Sequence, residues 1–445
     1  MNRNRLSRAI AQFSGRVLLI GLIAAPVSLL AQDREAFLPQ AIEVLERVPL
    51  IDGHNDLPGQ YRRRVDYKFS ELDIFDTTQN DDGPTVHTDI PRLREGRVGA
   101  QWWSVYATAD TSEPEALQTT MEQIDFVHGL AERYPDHFEI ALTADDVERI
   151  FADGKIASLI GMEGGHSIAN SLGALRMFHS LGARYMTLTH SRTLDWADAA
   201  GDFPRHDGLS EFGEEVVREM NRLGMMVDIS HVAPATMRDA LAVSEAPVMF
   251  SHSSALALNG HPRNVPDDVL ELTRDNNGIV MVTFVENYVS EERRQMQAKK
   301  EAHRTQVEFL YPGMTDAIER EMAAWEAENE MPKSTLEQVA DHIDHIRGMI
   351  GSNHIGIGSD YDGIRSLPSG LEDVSALPSL FAELLARGYT EEELEKIAGL
   401  NMLRVLREAE AVSERLRASR APSEAVISDF EQASNTTEGN GEPDA

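Results

Sequence analysis

The stretch Val48-Pro49-Leu50-Ile51-Asp52-Gly53-His54-Asn55-Asp56 passes without a break from apolar residues into side chains that bind metals or move protons. Val48 to Ile51 reads as a short strand covered on both faces, the signature of a parallel sheet. His54 and Asp56 stand two apart, so on extended backbone both point to one side. In a barrel such strand ends converge on a single rim, where barrel enzymes carry out their chemistry.

Working outward, seven more apolar runs follow the first: Ala100–Tyr106, Ile156–Met162, Tyr185–Thr189, Met225–Ile229, Val248–Ser251, Ile279–Phe284 and Ile355–Gly358. Amphipathic helices alternate with them. Val216, Val217, Met220 and Leu223 form one apolar stripe, closed by Gly224, and Leu336, Val339, Ile343 and Ile346 form another. Ser334-Thr335-Leu336-Glu337 offers that second helix a capping residue with a Glu three positions on. The pattern predicts an α/β fold, a (β/α)8 TIM-type barrel. The charged segment from Val285 to Lys333 is a helical insertion between strands seven and eight, turning at Tyr311-Pro312-Gly313.

Each of six strands runs into a ligand or proton-transfer group. Besides His54 and Asp56, these are Glu163, His190, His231, His252 and Asp360. Of fifteen histidines, four end a strand in this way. The chain has no cysteine, so a metal site must use histidine and carboxylate, which suits zinc in a catalytic site; manganese or cobalt would also fit. His54, Asp56, Glu163, His231 and His252 are too many ligands for one catalytic zinc with an open position. They fit two Zn2+ ions bridged by Glu163 and a hydroxide. Asp360 is placed to pass a proton to a leaving amine, and His190 to steady an oxyanion. The bland readings are a turn cap for Asp360, a role that suits Asp362 better, and a core histidine for His190. Arg263, in the loop after the sixth strand, offers a planar fork for a substrate carboxylate. His342 and His345 are read as a solvated surface pair, and His166 as a support for its loop.

Composition bounds the rest. The 445 residues carry a formal charge of −33, which repels nucleic acid and anionic lipid. Arg3, Arg5, Arg8 and Arg16 precede an apolar run from Val17 to Ala31, short of the roughly 20 residues of a membrane span and broken by Pro26. Residues 1–31 are therefore expected to be a signal peptide, although Leu29 departs from the small-x-small cleavage rule; an uncleaved N-terminal anchor is the alternative. The expectation is an exported, periplasmic or secreted protein, with 32–411 as the enzyme domain and 412–445 as an acidic, disordered tail without a lipid-anchor signal.

Taken in order, Leu-Ile-Asp-Gly-His-Asn-Asp-Leu-Pro (50–58), Gly-Met-Glu-Gly-Gly-His-Ser (161–167), Leu-Thr-His-Ser (188–191), Ile-Ser-His-Val (229–232), Phe-Ser-His-Ser-Ser-Ala (250–255), Arg-Asn-Val-Pro-Asp (263–267) and Gly-Ile-Gly-Ser-Asp-Tyr-Asp-Gly (356–363) resemble the membrane (renal) dipeptidase family. The likeness spans roughly Phe37 to Leu406. It implies a metallo-dipeptidase that cleaves L,L- and some L,D-dipeptides to free amino acids, with β-lactam opening in some members. It implies that His54 and Asp56 hold one zinc, that His231 and His252 hold the other, and that Glu163 bridges them. His190 and Arg263 would contact the substrate, the arginine through its terminal carboxylate, and Asp360 would handle the proton. A homodimer is implied too, although the disulfides and lipid anchor of animal relatives have no counterpart here. The loop Arg192-Thr193-Leu194-Asp195-Trp196 has residues of its own, which leaves specificity open.

Two rivals remain. A binuclear amidohydrolase acting on a cyclic amide, lactone or phosphoester would share the first motif, but commonly bridges its metals with a carbamylated lysine, and Glu163 takes that place. A periplasmic metal- or peptide-binding protein would keep the barrel without turnover.

Overall fold

The computed structural model describes residues 34–75 and 86–430. The expected signal peptide and the end of the acidic tail lie outside the described residues. Nine parallel strands form the sheet: β1 (Leu50–Asn55), β2 (Val98–Tyr106), β3 (Phe138–Ile140), β4 (Ile156–Glu163), β5 (Ala183–Thr187), β6 (Met226–Asp228), β7 (Met249–Phe250), β8 (Ile279–Val282) and β9 (Ile355–Ile357). Pairing of β2 with β4 closes a ring of eight, and β9 pairs with β1. The architecture is a (β/α)8 barrel, and its eight strands are the eight apolar runs.

Strand β3 is the addition. It pairs with Ile156–Ser158 at the start of β4, on the edge that β5 takes over from Ile160 onward. β3 therefore widens the sheet without entering the ring.

Two apolar layers hold the barrel. The larger lies between strands and surrounding helices and includes Val216, Val217 and Met220 of the helix Glu211–Leu223, which ends at Gly224 with φ 81°. A left-handed residue there costs glycine nothing. The smaller fills the interior with Ile51, Trp102, Leu159, Tyr185, Met249 and Met281. A Cβ on Gly161 would come within 2.0 Å of the Tyr185 ring, so the missing side chain makes room for that ring inside the barrel.

The insertion between β8 and β9 is helical, as expected, with helices Glu291–Leu310 and Thr315–Glu328 joined through a turn at Tyr311–Gly313. The following helix, Leu336–Ile350, is capped one residue later than its sequence suggests. Thr335 and Gln338 form the reciprocal box, while Ser334 donates from its backbone to Glu286. At the far end, the helix Asn401–Ser419 runs past residue 411, where the acidic tail was expected to begin. Beyond 411, Ser413 and Leu416 on its inner side are buried, which keeps this stretch folded.

Candidate metal centre

Strand register brings the centre together. Tyr106 pairs with Glu163, Glu163 with Thr187, and Thr187 with Asp228, so these residues share one level at the C-terminal rim. His54 belongs to β1 itself, and Asp56 precedes the helix Leu57–Val65. His190, His231, His252 and Asp360 lie just beyond β5, β6, β7 and β9. His231 and Asp360 hold φ values of 67° and 66°, left-handed conformations that cost a side-chain-bearing residue about 1–3 kcal/mol.

The carboxylate of Glu163 faces both ways. Its Oε2 lies 3.5 Å from His54 Nε2, which is itself 3.4 Å from Asp56 Oδ2. Its Oε1 lies 3.0 Å from His231 Nε2 and 3.6 Å from both His252 Nε2 and His190 Nε2. His231 Nε2 and His252 Nε2 are 2.9 Å apart. Ligands placed tetrahedrally about 2.0–2.1 Å from a zinc ion lie about 3.3 Å from one another, and these separations bracket that spacing. Among the described residues, buried His54 Nε2 has no hydrogen-bond partner, as a nitrogen meant for an ion would be. The donor set fits a metal centre.

The outer shell differs between the histidines. His54 Nδ1 lies 2.9 Å from the Tyr185 hydroxyl, which donates onward to the Gly53 carbonyl at 3.4 Å. His252 Nδ1 meets Ser251 Oγ at 2.8 Å, and that hydroxyl donates to Asp228 at 2.6 Å. Asp228 also accepts from the backbone of Ser230 and Ser251 and from the Thr187 hydroxyl. With Nδ1 as the donor, each ring in its neutral form would present a bare Nε2 to the centre.

Burial alone would push the Glu163 carboxyl up, but the His54 and His190 rings and the His231 bond hold it well below the carboxylate range. Burial, together with Arg263 and neighbouring imidazoles, pushes His231 and His252 well below the usual histidine range, into the neutral form that ligates. Burial and the facing Asp56 push the Asp360 carboxyl well above its ordinary value. Gly363 covers both: a Cβ there would fall 2.3 Å from an oxygen of each.

A cavity of about 390 Å³ opens over these groups and is lined also by Arg63, Tyr106, His190, Arg263 and Tyr288. Arg263 is buried; it donates to the His252 carbonyl at 3.2 Å and to Ser253 Oγ at 3.3 Å, and lies 5.5 Å from the Tyr288 ring centre. The sequence pattern of the membrane dipeptidase family, peptidase family M19, matches residues 38–420.

This chain belongs to the membrane dipeptidase family.

It is 41% identical over 391 residues to the dipeptidase verJ of Clonostachys rogersoniana, covering 85% of this chain and 89% of that protein. The dipeptidase tcpJ of Claviceps purpurea (strain 20.1) is 40% identical over 414 residues, covering 86% and 87%. The barrel matches the probable dipeptidase PvdM of Pseudomonas aeruginosa with a TM-score of 0.72 at 24% identity, over 85% of this chain and 99% of that one. It also matches a metallopeptidase of Rhodobacter sphaeroides bound to a phosphinate mimic of L-Ala-D-Ala, with a TM-score of 0.65 at 26% identity, over 81% and 99%. As a member of this family the chain is a metallo-dipeptidase, a hydrolase of peptide bonds.

The candidate site residues His54, Asp56, Glu163, His190, His231, His252, Arg263 and Asp360 lie together at this one rim. The other histidines divide. His342 is buried rather than solvated: its Nδ1 accepts from the Ala255 backbone at 3.0 Å and its Nε2 lies 3.0 Å from the Val289 carbonyl. It lies beside Val339 and Ile346 on the helix, at the margin of the apolar stripe, and the insertion covers it. His345 instead pairs with Asp267 at 2.8 Å. His166 bonds the Ala107 carbonyl at 2.9 Å, which supports its loop. Sequence reasoning missed Tyr185, Asp228, Tyr106, Tyr288 and Arg63. A polar tip within an apolar parallel strand was the available signal for Tyr185.

Proposed function

We propose that this family member is an exported dipeptidase with two zinc ions, one held by His54 and Asp56, the other by His231 and His252, and both by Glu163. The observation that carries this reading is the division of the Glu163 oxygens, each 3.0 to 3.6 Å from histidine nitrogens belonging to a different pair. When bound, such ions supply an acidified water and a polarised carbonyl. The chain's own residues then divide the remaining work. Arg263, backed by Tyr288, takes the substrate's terminal carboxylate in a planar fork. His190 lies between Tyr106 and His231, tilted against the first ring at 4.5 Å and stacked on the second at 4.2 Å, a neutral donor beside the carbonyl oxygen. Asp360 passes a proton to the departing amine.

The likeness to a relative bound by an L-Ala-D-Ala mimic supports including L,D-dipeptides among the substrates. Export rests on the basic-then-apolar leader. Among the described residues no helix is long and apolar enough to cross a membrane.

The test is amino-acid release by the purified protein from L,L- and L,D-dipeptides, with N-acetylated and C-amidated controls, together with metal analysis. The expected result is about two zincs per chain and chelator-sensitive cleavage that requires the free carboxylate. Intact dipeptides with metal bound would favour the cyclic-amide reading.

A further inference from the structure

The catalytic cavity contains one cation more than a simple dipeptide needs. Apart from Arg263, its wall carries Arg63, which the helix Leu57–Val65 projects from the residues that follow β1. Arg263 comes from the loop after β7, and β8 and β9 stand between β7 and β1 in the ring, so the two guanidinium groups approach from different sides. Arg63 is exposed and makes one long hydrogen bond, 3.4 Å to the Asp362 carbonyl. Among the described residues it has no ion pair with a carboxylate, whereas most arginines of this acidic chain do. Gly59 leaves its guanidinium room to sit: a Cβ there would approach Nη1 to 2.9 Å.

The surrounding acids, Asp56, Glu163 and Asp360, face the metal centre, so they leave Arg63 free for an incoming group. Resting on the dipeptidase reading, with the terminal carboxylate on Arg263, the amino-terminal residue of the substrate lies toward Asp360. The Arg63 side chain borders that region beside Gly363 and Ile364. We propose that Arg63 is a specificity residue that selects dipeptides whose amino-terminal residue carries a side-chain carboxylate. A charge-assisted pair at a partly open rim supplies discrimination without touching the reacting bond.

The experiment compares kcat/KM of the zinc-loaded protein for glutamyl-alanine and glutaminyl-alanine, near-isosteres that differ in charge, with alanyl-alanine as reference. The wild type is expected to favour the acidic peptide roughly five- to tenfold, through KM, with the ratio shrinking as salt rises. Arg63→Gln should bring the ratio to about one, and Arg63→Lys should keep part of it. Equal rates on the acidic and amide peptides by the wild type would overturn the inference while leaving the dipeptidase reading intact. So would an Arg63→Gln variant that slows both peptides equally. Failure to cleave any of the three would remove the dipeptidase reading and this inference with it.

Discussion

His54 reaches the centre from within β1, at an irregular step of its register with β2, with its Nδ1 against the neutral Tyr185 hydroxyl. His231 and His252 come from loops; the first sits at φ 67°, and the second is braced through Ser251 to the Asp228 carboxylate. One half of the centre is thus held by the barrel's own strand and interior packing. The other depends on a buried charge that also ties three strands together, since Asp228 takes bonds from Thr187, Ser230 and Ser251. A hydroxyl polarised by a carboxylate, as Ser251 is by Asp228, raises the basicity of the ligand in front of it more than a phenol bonded to a carbonyl does, so the halves should respond differently to loss of their supports.

The largest effect should come from the residue both halves share. Glu163→Gln is expected to cost more activity than the ten- to hundredfold typical of outer-shell changes, and to lower bound zinc below one per chain. Metal analysis alongside the rate decides it. Retention of one tightly held zinc would break the comparison by assigning Glu163 to a single half.

Next comes Asp228→Asn. The amide keeps one acceptor oxygen but turns an NH2 group toward donors, stranding buried N–H or O–H groups at about 1–3 kcal/mol each. The metal-free variant should lose about 2–4 kcal/mol in denaturant unfolding. Competition with a chelator should show one zinc weakened ten- to hundredfold and the other little changed. Equal weakening of both zincs would show that the halves are mechanically one.

The two halves also differ in how legible they were. The motif on β1 could be read directly because a strand buried on both faces is an apolar run, and a period of two puts His54 and Asp56 on the same side. The loop ligands were legible only as the first polar residue after each run. Their supports were not, because an inward-facing Tyr185 or Asp228 cannot be told from a core filler until strand register is known. β3 was missed because Phe138-Glu139-Ile140 is short and pairs only with the start of β4. His342 was misread because one helix face looks polar until the insertion is packed against it. Arg63 belongs to the run Arg62-Arg63-Arg64, whose members are indistinguishable in sequence; only the cavity separates them.

The smallest effect, and the sharpest test of the comparison, is expected from Tyr185→Phe. The ring stays, filling the space that Gly161 leaves, so packing inside the barrel is preserved. What goes is one hydroxyl, which accepts from His54 Nδ1 and donates to Gly53. Stability of the metal-free protein should fall by only about 0.5–1.5 kcal/mol, the usual net worth of a hydrogen bond. Freed of its acceptor, the imidazole can place its proton on Nε2 instead, the nitrogen that faces Asp56 and Glu163. Zinc at that half should then bind about tenfold more weakly, while the half backed by Asp228 keeps its affinity. A chelator titration that loses one zinc early and the second at the wild-type concentration would match this expectation. Unchanged release of both would mean that strand β1 alone orients His54, and that the hydroxyl serves packing rather than the metal.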